Sequence, residues 1–349
     1  MTTRTGSAAL TRFVVASRYM PVYIAFLLLI LIALIWVPNA FSSVAIGSVA
    51  SLGPILAIAA LGQMLVVMTG GIDLSTPATL TLAMVIMTGV GMQSDARIGL
   101  AIVVALGVAA LIGLVNGLLI GGLRLNALIV TLAVGQVTVG LINRYGRTFP
   151  VQTQAPAGWI EWTTSRTLGV NNVFWVGVGI TLLLVLGFRY TTVGRRFQVV
   201  GANPVASRVV GIRVNLNQIL VYVVAALFYA AAGVALAGLL RTPGVAVNNQ
   251  YLLGPIAAVV IGGASLTGGL ASSGSTFVAA MFLTGLNQLM RTMGLGTALQ
   301  FVVFGIVIIG GMLVSGDRII KAVERVLRER RRPARPEEET VKSSVDGPG

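Results

Sequence analysis

The sequence contains no cysteine and no histidine. Those two absences exclude disulfides, Cys/His zinc sites, thiol nucleophiles, serine–histidine triads and imidazole-ligated haem. Charge is scarce as well. Only 10% of the 349 residues are charged, against about a quarter in an ordinary soluble domain. No paired carboxylates or nucleophile–base constellation stands out, so no catalytic residue and no metal ligand is expected. What fills the chain instead is apolar: 56% of it is hydrophobic and its mean hydropathy is +0.92. One soluble core cannot hide that much apolar surface, whereas a bilayer acts as its solvent. The 43 glycines suit helices that approach one another closely inside a membrane.

A membrane-crossing helix needs about 17–25 mainly apolar residues. Such segments fall at 21–37, 44–69, 75–92, 98–122, 127–143, 173–188, 218–240, 252–267, 274–292 and 297–315. They predict an all-α integral membrane protein, a polytopic helical bundle of about ten transmembrane helices with several glycine-broken spans. Barrel strands would read as short alternating segments of about 10 residues, and these runs are longer and continuous. Arg4, Arg12 and Arg18 precede the first run. A basic start resembles a secretory signal, but no small-residue cleavage site follows it, so 21–37 is read as the first span.

An even number of spans puts both termini on one side. Placing them in the cytoplasm assigns 18 Lys/Arg residues inside and six outside (Arg97, Arg144, Arg147, Arg166, Arg241 and Arg291), the asymmetry that cytoplasmic loops show. The strongly basic composition is then a matter of topology, and nucleic acid is not expected as a partner. The expected divisions are an N-terminal arm over 1–20, a transmembrane domain over 21–316 with a basic loop at 189–217, and a cytoplasmic tail over 317–349. In the tail, 317–332 reads as a basic amphipathic helix against anionic lipid or a partner, or equally as a solvated extension of the last span. The Pro- and Glu-rich remainder reads as disordered. The longest outer loop, 144–172, carries Pro150, Pro156, Trp159 and Trp162, aromatics suited to a membrane interface.

Three stretches interrupt the apolar pattern. The first, Thr69 to Ser75, contains Gly70, Gly71 and Asp73, an acid with apolar segments hard against both sides. A charge at that depth marks either a helix cap or a functional contact. Both Asp73 and Ser75 are candidates for capping the next helix, and contact with a passing solute is the sharper reading. The second is the loop with Gly194, Arg195, Gly201, Asn203, Pro204, Ala206, Arg208 and Gly211. It predicts a helix of about two turns over Asn203 to Val210, Asn203 capping and Pro204 at its first position. Such a helix serves as a positive-inside anchor or docks into a groove of a soluble partner. The third, Ile256 to Gly269, holds Gly262, Gly263, Ser265, Gly268 and Gly269 and partly echoes the first. Gly-interrupted segments in corresponding positions point to a translocation pathway built on an internal repeat, or else to tight packing of small residues.

Taken together, these stretches resemble the binding-protein-dependent ABC importer permeases of the ribose, arabinose, xylose and galactoside type, over about residues 20–315. Gly70 to Ser75 reproduces that family's G-G-I-D-L-S, and Gly113 to Ile120, with Asn116, its G-L-x-N-G-L-L-I. Ile129 to Leu132 matches I-V-T-L, Thr191 to Arg195 matches T-x-x-G-R, and Gly201 to Ile212 matches G-x-N-P-x-A-(A/S)-R-x-x-G-I. Ile256 to Gly269 matches I-A-A-V-V-I-G-G-(T/A)-S-L-x-G-G. Two departures stand out: Thr76-Pro77 where the family continues Ser-Val-Gly, and Gly254-Pro255 where it has Glu-Leu.

The resemblance implies a permease subunit in the bacterial cytoplasmic membrane that carries a monosaccharide or related polyol. It would work with two ABC ATPase subunits, an extracytoplasmic solute-binding protein and a second permease copy, identical or not. ATP and magnesium would sit on the partner subunits, since this chain has no G-x-x-x-x-G-K-[ST] phosphate loop and no cofactor of its own is expected. The 201–212 segment would be the ATPase coupling helix. Branched-chain amino acid and nucleoside permeases share the architecture, and a stand-alone secondary transporter or channel is the alternative from outside the class.

Overall fold

A computed structural model describes residues 3–148, 154–242 and 250–315. The apolar runs fold as helices because a backbone in hydrocarbon must satisfy its hydrogen bonds within its own segment. In chain order they are α1 (Thr3–Trp36), α2 (Ser43–Met68), α3 (Thr76–Gly91), α4 (Ile98–Gly117), α5 (Ala127–Thr148) and α6 (Ala157–Thr164). After a two-residue strand pair, β1 (Arg166–Thr167) and β2 (Val170–Asn171), follow α7 (Asn172–Tyr190), α8 (Thr192–Ala202) and α9 (Pro204–Val209). The chain ends its described part with α10 (Val214–Leu240), α11 (Gln250–Ile261), α12 (Ser273–Thr292) and α13 (Thr297–Ser315).

Each of the ten expected segments has a helix of its own, yet they are unequal. Six helices among the described residues are long and apolar enough to cross a membrane, and three more, within α3, α11 and α13, are apolar but shorter. The run expected to continue over 252–267 stops at Ile261, so α11 rises only about 18 Å at 1.5 Å per residue. Residues 262–272 are turns and extended chain rather than helix. α1 already begins at Thr3, making the N-terminal arm continuous with the first span. The amphipathic helix and disordered end expected over 317–349 lie outside the described residues, as does Pro150.

The spans do not share burial evenly. α2 and α10 are the most enclosed, α1 and α7 the least, and every residue of α2 from Gly53 to Met68 is buried. One close backbone seam lies between α4 and α10. Gly113, Gly117 and Gly121 recur every four residues, are all buried and face α10, as neighbouring turns of one helix face do. A Cβ on Gly113 would stand 2.7 Å from the Val223 Cα, and one on Gly117 2.8 Å from the Ile219 Cα. Small residues admit the α10 backbone there. The chain then widens into a π-helical turn, Leu118–Gly122, before α5.

Alternation of the helices places the connections α2–α3, α4–α5, α7–α10 and α11–α12 at one end, with Arg18, Arg124, Arg189, Arg195, Arg196, Arg208 and Arg213. This is the basic end. At the opposite end α6 folds onto the bundle: Trp159 Nε1 donates to the Val234 carbonyl at 2.9 Å and the Trp159 ring stacks on Trp162. The Gly158 N–H donates to Asp95 Oδ1 at 2.8 Å, so α6 is tied down by both an indole and a carboxylate.

Candidate functional site

All three interrupted stretches meet at the basic end. α2 terminates in a Schellman motif: the Gly70 N–H bonds the Val67 carbonyl and the Gly71 N–H the Val66 carbonyl, at 2.9 and 3.1 Å. α11 terminates the same way, Gly263 to Val260 at 2.9 Å and Ala264 to Val259 at 3.1 Å. Both motifs need a residue with positive φ just past the helix; Gly70 and Gly263 supply it at +82° and +84°. The repeat therefore aligns Gly70 with Gly263, and Gly262 is the residue before the turn.

These two helix ends touch. The Gly269 N–H donates to the Met68 carbonyl at 2.8 Å, joining the 262–272 segment to the last residue of α2. Gly201, near the end of α8, is wedged between them: a Cβ there would fall on the Met68 carbonyl oxygen and lie 3.0 Å from the Gly269 nitrogen. Gly268 in turn abuts the Gly201 carbonyl and Gly269 the Ala202 backbone. Arg18 of α1 completes the group, its Nε donating to the Gly263 carbonyl at 2.6 Å. Within the second turn the Gly268 N–H bonds the Ser265 carbonyl at 3.0 Å, and the Ser265 and Thr267 hydroxyls lie 2.8 Å apart.

Asp73 lies deeper and is only 2% exposed. Its Oδ1 accepts from the Ser75 N–H at 2.8 Å and the Ser75 hydroxyl at 2.6 Å. The carboxylate thus takes up a backbone donor left free ahead of α3, while the Ser75 side chain makes no capping bond. Ser75 is engaged elsewhere: its hydroxyl accepts from Asn116 Nδ2 at 3.0 Å, reaching α4. The Leu74 N–H donates to Thr131 Oγ1 at 2.9 Å, and Gly135 of α5 packs on the Ser75 Cα. One acidic turn therefore ties α3 to α4 and α5.

Sequence reasoning missed Gln63, Tyr229, Thr131 and Arg18. With its amide nitrogen toward the Asp73 carbonyl, Gln63 donates there at 3.1 Å and to Tyr229 Oη at 3.1 Å, and accepts from the Asp73 N–H at 3.1 Å. This orientation is assigned because it satisfies both ends of the amide. A signal was present: Gln63 is the one polar side chain between Leu52 and Met68, and such a group inside an apolar helix needs a partner.

The basic loop forms two helices, α8 and α9. Thr191 caps α8 by accepting from the Gly194 N–H at 3.1 Å, and Asn203 caps α9 by accepting from the Ala206 N–H at 2.9 Å, with Pro204 at the first position. Gly211 closes α9, its N–H bonding the Arg208 carbonyl at 3.0 Å. Gly194 sits in the α7–α8 elbow, a Cβ there being 2.6 Å from the Phe188 Cα. Arg195 and Arg208 are exposed and take no part in the glycine contact. Val205, Val209 and Val210 point outward at 69, 84 and 72% exposure. At the opposite end a cavity of about 540 Å³ lies between the start of α2 and the strand pair, lined in part by Ser48, Ser51, Arg166 and Asn171.

A helical bundle that crosses the membrane repeatedly, with broken helices joined to a basic loop at one end, is the architecture of a transport permease. The chain belongs to the family described as "Branched-chain amino acid transport system / permease component", which matches residues 45–313. It is 32% identical over 301 residues to the ribose import permease protein RbsC of Escherichia coli (strain K12), covering 84% of this chain and 92% of that one. It is 30% identical over 276 residues to the fructose import permease protein FrcC of Rhizobium meliloti, covering 77% and 76%. With the autoinducer 2 import system permease protein LsrC of Enterobacter sp. (strain 638) it shares 28% identity over 320 residues, 88% and 89% of the two chains. No solved structure gives a significant match.

Proposed function

We propose that this chain is the membrane-spanning permease subunit of an ATP-driven importer in the bacterial cytoplasmic membrane, translocating a monosaccharide or related polyol. Solute is delivered by an extracytoplasmic binding protein, and the energy comes from two ABC ATPase subunits that hold the ATP and magnesium. A second permease copy, identical or homologous, completes the membrane part. Both termini face the cytoplasm, so the basic end of the bundle is the ATPase-facing end.

The observation that carries this reading is the seat of Gly201. The α8–α9 loop presents three exposed valines outward and, through Gly201, abuts the end of α2 and the Gly268–Gly269 pair within the 262–272 segment. A motor bound to α9 has a direct steric route to two broken helices, which is what an external energy source requires. Membership of the family and the sugar-import names of the relatives support the solute class.

Deleting Asn203 to Val210 is expected to abolish uptake of radiolabelled sugar in reconstituted vesicles while membrane insertion persists. Normal uptake by the deletion variant, or uptake by the intact chain without any ATPase, overturns the proposal.

A further inference from the structure

The spanning helices turn apolar or small side chains outward, with one exception. Among the described residues, Gln136 is the one amide or charged side chain exposed away from the ends of a spanning helix. It lies about 14 Å along α5 from Ala127, near the middle of a hydrocarbon layer about 30 Å thick. α5 is also the least apolar of the six long spans.

Gln136 is not isolated. Gly140 and Asn143 follow at i+4 and i+7, hence on the same face, and both are exposed. Nothing stands within 4 Å of where a Gly140 Cβ would be. Among the described residues neither amide makes a hydrogen bond within the chain. The other face of α5 is fully engaged, with Thr131 and Gly135 on the Asp73 turn. One side of the helix is therefore anchored, and the other offers two unsatisfied amides.

Lipid tails cannot serve the Gln136 amide, since hydrocarbon supplies neither donors nor acceptors. A primary amide both donates and accepts, the pairing that a polyhydroxylated solute or its water demands. The expected pathway glycines do not offer this, because their turns are closed by their own hydrogen bonds and Asp73 is sequestered. We propose that the Gln136–Gly140–Asn143 face of α5 lines a water-filled conduit and supplies the polyol contacts during translocation. The polyol class rests on the sugar-import reading above, whereas the conduit does not.

The natural absence of cysteine makes the test direct. Gln136→Cys is compared with Val103→Cys and Leu183→Cys, outward positions on α4 and α7, in vesicles carrying the assembled importer. Because the reactive thiolate forms only in water, a membrane-impermeant methanethiosulfonate should modify the Gln136→Cys chain about tenfold faster than either control. Ribose or fructose, supplied with the binding protein, should slow that modification. Gly140→Cys on the same face repeats the measurement if Gln136→Cys does not insert. Modification as slow as in the controls overturns the conduit, even where ATPase-dependent sugar uptake is intact. A disulfide between two copies at this position without modification also overturns it, as a dry contact. Protection by a branched-chain amino acid and by neither sugar overturns the polyol assignment together with the sugar reading.

Discussion

The two glycine turns at the basic end close their helices with the same pair of backbone hydrogen bonds, yet they differ in what surrounds them. The first leads into an acidic knot: Asp73 and Ser75, braced by Gln63, Asn116 and Thr131, bind α3 to α2, α4 and α5. The second has no acid; no Asp or Glu occurs between Trp162 and Gly316. It is held by the Arg18–Gly263 and Gly269–Met68 bonds and, beyond the buried Ser265, turns Leu266 outward. Identical local geometry thus serves a locked junction in one half and a lightly held one in the other. Gly201 touches both, so a push on α8 meets a stiff stop on one side and a compliant segment on the other.

Five substitutions test this contrast. Gly201→Val is expected to have the largest effect, about 3 kcal/mol or more, since the added atoms collide with backbone on both sides and cannot repack as a core side chain does. It should abolish uptake and lower the thermal midpoint of the detergent-solubilised protein; a stable, active variant would show that the turns are not in contact through α8. Asp73→Ala comes next. Orphaning the buried Ser75 N–H costs about 2–3 kcal/mol, whereas Ser265→Ala, which removes a hydroxyl paired with Thr267, should cost about 1 kcal/mol. Equal losses in the two variants, measured by thermal unfolding in the same detergent, would erase the distinction between knot and segment. The paired glycines give the finest comparison. Gly70→Ala should cost about 1 kcal/mol for its left-handed conformation, its neighbourhood being open apart from the Thr267 carbonyl at 3.7 Å. Gly263→Ala should cost more, because its Cβ would also stand 2.8 Å from the Arg18 carbonyl. The reverse order would mean that the first turn, not the second, is the more confined at its glycine.

Much of the fold is legible in the sequence because hydropathy acts over a whole helix: each apolar run has its helix, and only where glycine ends α11 early does the run overshoot. The site is legible in pieces. Glycines and Asp73 advertise themselves as exceptions in apolar context, and Asn203-Pro204 as a helix start. Their convergence is not legible, since Met68, Gly201 and Gly269 are far apart in the chain and meet only through backbone atoms that no side-chain pattern reports. Gln63 and Tyr229, whose partners are likewise distant, are silent for the same reason. Gln136 is different again: its residue type is visible, but its outward direction becomes known only once the other face of α5 is seen to be occupied.

The seam between α4 and α10 has a mechanical consequence. With backbone against backbone along Gly113 and Gly117, no layer of side chains remains to absorb a change of rotamer. The pair behaves as a chassis, so that relative motion in a transport cycle falls on the parts bolted to it. Differences in solute handling among such permeases would then be sought in the moving parts, with the chassis left alone.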